Sequence, residues 1–318
     1  MSTSPIARVV PPSSQQQPPV KAVANQTVHH VVLGDVLCKT WYPSYYPDEL
    51  VGKEIERLYV CQWCFKYSRE IIPYLGHVKV CAHQEAPPGT KIYCKDSYSI
   101  YEIDGEEDQL YAQNLSLFAK LFLDNKSVFF DVVGFYYYIL VHTPKPVAAT
   151  VLSQKHQIVG FFSKEKISWD HNNLACILIF PPWQRRGLGK ILMGASYELS
   201  KREGQIGGPE KPLSELGKKS YYKFWEARVA RVVLGTRTKS TLTLGEVAAQ
   251  CWLSTEDAAE ALKDMDVIKN KKRKDGSLII SKGRVKDWVR NCNVDLGPPV
   301  NEQDFIDEAI RSAAVEEE

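Results

Sequence analysis

The alternation of hydrophobic and polar positions predicts a series of β-strands in the first half of the chain. Five runs alternate in polarity or are rich in aromatic residues, as half-buried strands are: residues 91–93, 98–103, 127–133, 135–141 and 158–164. Asp104 and Gly105 predict a hairpin turn into a strand at residues 109–111. A helix is predicted by the spacing of Leu115, Phe118, Ala119 and Phe122. Several antiparallel strands with helices on their faces indicate an α/β fold.

Residues 174–204 predict a strand, a turn and a helix in direct succession. The apolar run 175–180 has the length of a buried strand, and Pro181 and Pro182 end it because proline cannot donate a ladder hydrogen bond. Helical spacing then returns at Ile191, Leu192, Ala195 and Leu199. Gly204 stands where a helix commonly ends in the left-handed region.

The turn between this strand and this helix carries candidate chemistry. It consists of Gln184, Arg185, Arg186, Gly187, Leu188, Gly189 and Lys190. The two glycines lack the Cβ atoms that keep a ligand off the backbone, and the first N–H groups of the helix attract an anion such as a pyrophosphate. A loop for ATP or GTP would need Ser or Thr where Ile191 stands. An ordinary helix-entry turn is the alternative, but the whole pattern resembles the acetyl-coenzyme A (acetyl-CoA) loop of acetyltransferases.

Composition adds few constraints. A chain of 318 residues is long enough for two or three domains, and a formal net charge of +2 gives no global attraction to nucleic acid or membrane. No apolar run approaches the roughly 20 residues of a membrane span, and the N-terminus lacks a signal-peptide core. We therefore expect a soluble intracellular protein. Eight cysteines in a chain of this length do not suggest a disulfide scaffold, and clustered ones suggest metal.

A candidate metal site has the spacing C-x2-C-x12-H-x3-C, at Cys61, Cys64, His77 and Cys81. The first pair fits a tight knuckle and the second pair fits one helical turn, so four ligands can close a tetrahedron around Zn²⁺. With all four positions filled by protein, the zinc would be structural rather than catalytic. The alternatives are buried free cysteines, a finger that reads DNA, and His83 as a competing ligand.

A loop at residues 207–217 follows the helix of the glycine turn. Two glycines and two prolines restrict this loop, and Ser214 is placed to cap the next helix. A carboxylate fixed in such a loop is a catalytic candidate, and this loop contains Glu210. The alternative is that Glu210 is a solvated acid without a chemical role.

From residue 241 the pattern changes to two short helices followed by a short strand. Ser254, with Asp257 three residues later, resembles a capping box for the second helix. Residues 275–281 suggest a turn and a wing strand, so these elements predict a winged-helix-like domain. The basic cluster at residues 269–274 predicts a solvated hairpin, with contact to phosphates or an import signal as alternatives.

Four motifs in one order resemble those of the MYST lysine acetyltransferases. They are the zinc knuckle and residues 172–178, 184–190 and 208–214, within a match over roughly residues 58–233. The resemblance implies transfer of an acetyl group from acetyl-CoA to a lysine side chain. It also implies an α/β fold with an acetyl-CoA-binding, GNAT-like mixed sheet core, an N-terminal zinc-knuckle β-rich domain and a C-terminal winged-helix-like domain.

The resemblance assigns roles to individual residues. A lysine with a pKa near about 10.4 must lose a proton before it attacks a thioester, and Glu210 matches the family's base. Cys176 matches a cysteine of the central strand; we favour direct attack, with Cys176 lining the thioester pocket, over an acetylated Cys176. Lys126 matches the lysine that the family acetylates on itself, or is a surface turn lysine. The residues implied to hold acetyl-CoA are Cys176, Ile177, Leu178, Gln184, Arg185, Arg186, Gly187, Leu188, Gly189, Lys190 and Ser214.

The predicted domains follow from these motifs and from composition. They are a disordered tail at 1–28, an N-terminal domain with the zinc finger at 29–125, the acetyl-CoA-binding core at 126–235, a winged-helix-like domain at 236–300 and an acidic tail at 301–318. Within the first domain, the aromatic segment at residues 40–50 predicts an arm that packs on the domain, or a partner surface.

Residues 123–127 and 179–189 look most like the fungal something-about-silencing branch of the family. That branch implies a nuclear chromatin enzyme that acts on the histone 4 tail with accessory subunits, and the short N-terminus predicts that partners direct it to nucleosomes. Gly208 replaces a more usual serine and Leu188 a frequent aromatic residue. Two alternatives stay open: a DNA-binding regulator with a vestigial enzyme core, and an acetyltransferase for a small amine or a non-histone protein.

Overall fold

A computed structural model describes residues 8–9, 28–144, 155–236, 242–269 and 279–310. The chain forms two compact units, each described by itself below. The first unit contains the described residues up to Lys166, together with Cys176–Arg186 and Phe305–Ile310. The second contains Ile167–Ala175 and the described part of Gly187–Asp304. Most of the predicted tail at 1–28, the end of the acidic tail and most of the basic cluster lie outside the described residues.

The described elements alternate between strands and helices along most of the chain. The strands are β1 (Arg8–Val9), β2 (Val28–Leu33), β3 (Val36–Lys39), β4 (Ile55–Val60), β5 (Tyr67–Ser68), β6 (Thr90–Lys95), β7 (Tyr98–Asp104), β8 (Phe135–His142), β9 (Gln157–Glu165), β10 (Asn172–Leu174), β11 (Cys176–Ile179), β12 (Gly208–Pro209), β13 (Ile268–Lys269) and β14 (Ile279–Ile280). The helices are α1 (Asp48–Val51), α2 (Ile71–Val80), α3 (Gln109–Lys120), α4 (Leu188–Arg202), α5 (Glu215–Gly235), α6 (Leu244–Cys251), α7 (Thr255–Asp264) and α8 (Lys282–Asn291).

The first unit contains two five-stranded sheets. One sheet has the order β1-β3-β2-β4-β5 and mixes parallel and antiparallel pairs. The other has the order β11-β9-β8-β7-β6 and is antiparallel throughout. These findings confirm a mixed α/β fold with a β-rich N-terminal region.

The core of the first unit forms around α3. Its apolar residues at helical spacing, among them Leu115 and Phe118, are almost fully buried. The Phe118 ring contacts the rings of Phe65, Phe122 and Phe180. Burying rings of this size stabilises a fold by about 1.5–3 kcal/mol each, so this cluster is a main source of stability for the unit.

The aromatic arm at residues 40–50 packs on the C-terminal end of α3. The backbone N–H groups of Trp41 and Tyr42 donate to the carbonyl oxygen of Leu121 at 2.9 and 3.0 Å. The Ser44 hydroxyl donates to the carbonyl oxygen of Leu117 at 2.7 Å. The predicted packing of this arm is therefore confirmed.

Two predicted strands of this unit are wrong. Residues 109–111 begin α3, whose N-cap residue is Asp108, and the Asp104 carboxylate accepts a hydrogen bond from the Glu106 N–H in the turn before this helix. Residues 127–133 form no strand in the described structure. Their aromatic content serves side-chain packing instead, since the Phe129 ring stacks on Tyr45 with centroids 4.5 Å apart.

The second unit is built around α5, which packs against α4, α6, α7 and α8. The predicted helix after the glycine turn is α4, and Gly204 follows it with a φ of +71°. The strand predicted at 175–180 is confirmed as β11, which pairs in the first unit with β9; β10 lies just before that run and pairs in this unit with β12. Among the described residues, every helix is too short or too polar to serve as a transmembrane span.

Helix caps explain where the helices of the second unit begin. The Ser214 hydroxyl accepts a hydrogen bond from the Gly217 N–H at 3.1 Å, so the predicted cap of α5 is confirmed. At α7, Ser254 accepts from the Asp257 N–H at 3.0 Å, but the Asp257 carboxylate accepts from Lys211 rather than completing a capping box. A complete capping box occurs at α6 instead.

Candidate functional site

The four predicted metal ligands lie together in the first unit. Cys61 follows β4, Cys64 lies in the next turn, His77 is in the last turn of α2, and Cys81 is the C-cap residue of that helix. Their ligand atoms all lie within 4.8 Å of one another. The Cys64 Sγ and His77 Nε2 atoms are 3.2 Å apart, and the Sγ atoms of Cys61 and Cys81 are 3.8 Å apart.

The residue directly after the two knuckle cysteines has an unusual backbone conformation. Phe65 has a φ of 60°, which residues other than glycine rarely adopt. Its N–H donates to the carbonyl oxygen of Cys61 at 3.0 Å, and its buried ring packs against Phe118. Core packing therefore keeps the two cysteines in their relative positions.

The donor set of this cluster fits zinc. Three thiol groups and one imidazole are the ligands of a closed tetrahedral zinc site. Hydrogen bonding from Cys64 lowers the pKa of Cys61, which favours the thiolate form that binds metal. His83 is not part of the cluster, because its ring lies against Tyr111. The four side chains fill all four coordination positions of a tetrahedral zinc ion, so none is left for water or substrate and zinc here is structural.

The strand that contains Cys176 forms one edge of the antiparallel sheet. Cys176, Ile177 and Leu178 pair with residues of β9, and Leu178 is buried while the other two are half-buried. Gly160 of β9 permits this pairing, because a Cβ atom there would lie 2.6 Å from the carbonyl oxygen of Leu178.

Lys126 lies in the same unit and is buried, with only 5 % of its surface exposed. Burial lowers the pKa of Lys126, and the electrostatic interaction with Cys176 opposes that shift. The interpretation of Lys126 as a surface turn lysine is therefore wrong. A buried amine with a lowered pKa is a better nucleophile at neutral pH than an exposed one.

The segment after β11 presents polar groups at the surface of the first unit. The Gln184 side chain donates to the carbonyl oxygen of Ile179 at 2.8 Å and so closes the turn after the strand. The Arg186 guanidinium lies over the Trp183 ring at 4.8 Å and is exposed. Arg185, also exposed, has a φ of 62°. Both guanidinium groups belong to a part of the chain that is suited to binding an anion.

The beginning of α4 belongs to the second unit. Gly187 is its N-cap residue and has a φ of +79°, which is strained for any L side chain. No side chain caps the first turn, where Leu188 is buried, Gly189 is half-buried and Lys190 is exposed. A helix N-terminus without a side-chain cap leaves N–H groups for an anionic ligand.

Glu210 is exposed, but its backbone is anchored. β12 pairs in parallel with β10, with Asn172 opposite Gly208 and Leu174 opposite Pro209. The Glu210 N–H continues this pairing by donating to the carbonyl oxygen of Leu174 at 2.8 Å. An exposed carboxylate on a fixed backbone has the properties of a general base that must meet an incoming substrate.

Comparison with known proteins identifies the family. A model of the MOZ/SAS family matches residues 86–303, which is more than half of the chain. The chain belongs to the MOZ/SAS family. The model of the MYST family zinc finger domain matches residues 25–81 and so includes all four cysteine and histidine ligands.

Curated relatives of this MOZ/SAS chain are named histone acetyltransferases. The chain is 43 % identical over 236 residues to histone acetyltransferase MOF of Drosophila melanogaster, covering 74 % of this chain and 27 % of that protein. It is 37 % identical over 258 residues to the histone acetyltransferase Tip60 homolog of Caenorhabditis elegans, covering 80 % and 53 %. It is 37 % identical over 256 residues to histone acetyltransferase mst1 of Schizosaccharomyces pombe, covering 80 % and 52 %. The chain therefore spans about half, or less, of the length of these relatives.

The candidate residues of this MOZ/SAS chain are divided between its two units. The zinc ligands, Lys126, residues 176–178 and residues 184–186 belong to the first unit. Residues 187–190, Glu210 and Ser214 belong to the second. The structure thus brings the four metal ligands together, and it places Lys126 and Cys176 in the same unit, where they interact electrostatically.

One residue beside the Glu210 loop has a role that differs from the capping role predicted for it. Asp257 is buried on the face of α7 that also buries Ala258, Ala261 and Leu262. Its carboxylate accepts a hydrogen bond from Lys211 at 2.8 Å. Helical periodicity places Asp257 on the apolar face of α7. An acidic residue on such a face is the sequence signal that could have identified it.

Proposed function

We propose that the chain is a protein lysine acetyltransferase that moves the acetyl group of acetyl-CoA onto a histone lysine, with Glu210 as the general base. The match to the MOZ/SAS family over residues 86–303 carries this proposal. Three relatives that are named histone acetyltransferases support it. The anchored backbone of Glu210 supports the choice of base.

Acetyl-CoA is proposed to bind where the sequence pattern and the local backbone agree. Its pyrophosphate would accept hydrogen bonds from the turn formed by Gln184, Arg185, Arg186, Gly187, Leu188, Gly189 and Lys190. The left-handed Gly187 and the uncapped start of α4 support this assignment. The backbone of Cys176, Ile177 and Leu178 would bind the acetyl end. Ser214 would be a further contact, because its hydroxyl accepts from Gly217 and still has a proton to donate.

The proposed reaction is direct acyl transfer. The Glu210 carboxylate removes a proton from the acceptor ammonium, and the freed amine attacks the thioester carbonyl carbon. The carbon–sulfur bond breaks, coenzyme A leaves as a thiol after taking up a proton, and an amide remains on the acceptor. Cys176 lines the thioester pocket in this scheme and does not carry the acetyl group.

Finer features of the family resemblance belong to the same proposal. They are a GNAT-like sheet core, a winged-helix-like C-terminal domain and the domain boundaries predicted above. The proposed acceptor is the histone 4 tail, in a nuclear silencing-type complex with accessory subunits. Lys126 is the proposed site of autoacetylation, since an amide at that position would remove the cost of burying an ammonium group.

The experiment compares wild type and Glu210→Gln in transfer from labelled acetyl-CoA to histone octamers and to free histone 4 peptide. Loss of a general base lowers kcat by about 10²–10⁴-fold, and part of this loss should be recovered at high pH, where more of the acceptor is already an amine. Equal activity of the two proteins would exclude Glu210 as the base. Activity that requires added nuclear partners would identify the chain as a partner-dependent subunit, and transfer to other proteins but not to histones would exclude the histone acceptor.

A further inference from the structure

A buried carboxylate lies beside the loop that contains Glu210. Asp257 is in the first turn of α7, and its side chain is 2 % exposed. Its Oδ1 atom accepts a hydrogen bond from Lys211 Nζ at 2.8 Å. An ionised carboxylate is costly to bury without a cation or several hydrogen bonds, so Lys211 compensates the burial of Asp257.

This ion pair completes the attachment of the loop on both sides of Glu210. Before Glu210, the residues of β12 pair with β10. At Glu210 itself, the N–H donates to Leu174. Directly after it, Lys211 is bound to Asp257. The backbone at residue 210 is therefore anchored to a strand on one side and to a helix on the other.

Gly208 allows the carboxylate of Asp257 to approach this loop closely. A Cβ atom at Gly208 would lie 3.0 Å from Asp257 Oδ2 and 3.9 Å from the Tyr197 hydroxyl oxygen. The first distance is shorter than an ordinary van der Waals contact, so a Cβ atom there would require the Asp257 side chain to move slightly. The Tyr197 hydroxyl accepts a hydrogen bond from Trp225 at 2.7 Å, and this bond fixes the other wall next to Gly208.

We propose that Asp257 is a positioning residue that fixes the backbone of Glu210 for proton transfer through its ion pair with Lys211. The inference rests on the proposed function, in which Glu210 is the base. A base must lie within about 2.6–3.2 Å of the atom whose proton it removes. A displacement of about 1 Å caused by a substitution outside the reacting groups lowers a rate by roughly 10²-fold. The position of the Glu210 backbone sets where its exposed carboxylate can reach.

The test measures kcat and the KM for acetyl-CoA in Asp257→Asn and Lys211→Met, with the folded fraction determined for each protein by thermal unfolding. Both variants remove the ion pair, and Asp257→Asn keeps the size of the side chain. We expect kcat per folded molecule to fall by about 10–100-fold in each, while the KM for acetyl-CoA changes by less than about threefold. Glu256→Gln is the matched control, because Glu256 neighbours Asp257 but is 86 % exposed and 4.0 Å from Lys211. It should keep the wild-type kcat.

A double-variant experiment separates positioning from a merely structural role. In a Glu210→Gln background, assayed at high pH where residual transfer is measurable, Asp257→Asn should have little further effect on kcat, because the group that it positions is already gone. An equal fall in kcat with and without Glu210 would overturn the proposal. If Asp257→Asn does not fold, Lys211→Met decides alone, since the Lys211 side chain is 47 % exposed. A normal kcat in Lys211→Met would then overturn the proposal.

These outcomes also separate this inference from the proposed function. If Glu210→Gln is as active as wild type, the assignment of the base is wrong, whatever Asp257 does. If Glu210→Gln is inactive while Asp257→Asn and Lys211→Met keep the wild-type kcat, Glu210 stays the base and the positioning role is excluded.

Discussion

The zinc-ligand cluster and the Glu210 loop are two small polar sites that the chain assembles over different distances. Cys61 and Cys81 are 20 positions apart, and one knuckle and one helix bring all four ligands together. Lys211 and Asp257 are 46 positions apart, and Glu210 also depends on β10, which precedes α4 in the chain. A site assembled from neighbouring residues depends on its metal, whereas a site assembled from distant residues depends on the packing of whole elements.

Removal of one zinc ligand is the strongest way to break the local site. We expect Cys64→Ala to lose the bound zinc and to lower the melting temperature by roughly 10 °C or more, because metal binding supplies the folding energy of such a finger. Zinc content and thermal unfolding measure this. Cys94→Ala is the control, since Cys94 is an exposed thiol of β6 outside the cluster. If Cys64→Ala kept its zinc and its melting temperature, the ligand assignment would be wrong.

Overpacking the second site should impair it without any loss of metal. A Cβ atom at Gly207 would lie 2.5 Å from the carbonyl oxygen of His171, so Gly207→Ala must displace the chain next to β10 and β12. We expect a loss of about 1–3 kcal/mol in stability and of roughly 10-fold or more in kcat, with unchanged zinc content.

The matched control for Gly207→Ala is Gly245→Ala, where a Cβ atom would meet no other atom within 4 Å. That substitution lies in α6, and alanine favours a helix over glycine by about 0.5–1 kcal/mol. Normal transfer by Gly207→Ala would contradict the dependence of the Glu210 loop on β10. Lost zinc in that variant would contradict the independence of the two sites.

The same difference in distance explains how much of the protein the sequence could predict. The zinc ligands follow from spacing alone, because a knuckle and one helical turn fix their relative positions. The cap at Ser214 and the left-handed Gly204 were predictable for the same reason, since each depends on a few neighbouring residues. The glycine turn also has a local signature in Gly187.

Features that depend on distant residues were not predictable. Asp257 was assigned to a capping box because the pattern around Ser254 does not reveal that Lys211 would bind the carboxylate. The apolar run at 175–180 predicts its own strand, but it gives no indication that residues 172–174 before it form a separate strand that pairs with β12. The strand predicted at 127–133 failed because aromatic content alone does not distinguish side-chain packing from ladder pairing.

The attachment of α7 to α5 depends on a buried carboxyl group. Glu226 of α5 is 7 % exposed, and burial, followed by a hydrogen bond with Asp264 of α7, raises its pKa to about 8. The charge of Lys223 opposes this shift. The folded state therefore binds a proton at Glu226 that the unfolded state has released above about pH 4.5, and stability falls as the pH rises from there through about 8.

Glu226→Gln should remove this pH dependence, because glutamine is neutral and can still donate to Asp264. Between pH 6 and 8 we expect wild type to lose about 1–2 kcal/mol more than Glu226→Gln, measured by chemical denaturation. The exposed Glu256→Gln should follow the wild-type profile. Parallel profiles for wild type and Glu226→Gln would show that this carboxyl group does not couple α5 to α7.

Lys211 and Asp257 are far apart in the sequence, so the two sites become complete at different times during synthesis on the ribosome. Chains emerge from the N-terminal side, and domains fold as units while synthesis continues at about 5–20 residues per second. His77 and Cys81 therefore emerge long before Glu210, and a nascent chain has all its zinc ligands early. Asp257, the partner of Lys211, is translated 46 positions after it. A chain stalled on the ribosome before α7 therefore contains Glu210 but lacks the Lys211–Asp257 ion pair. A nascent chain therefore presents all four zinc ligands before the Lys211–Asp257 ion pair can form.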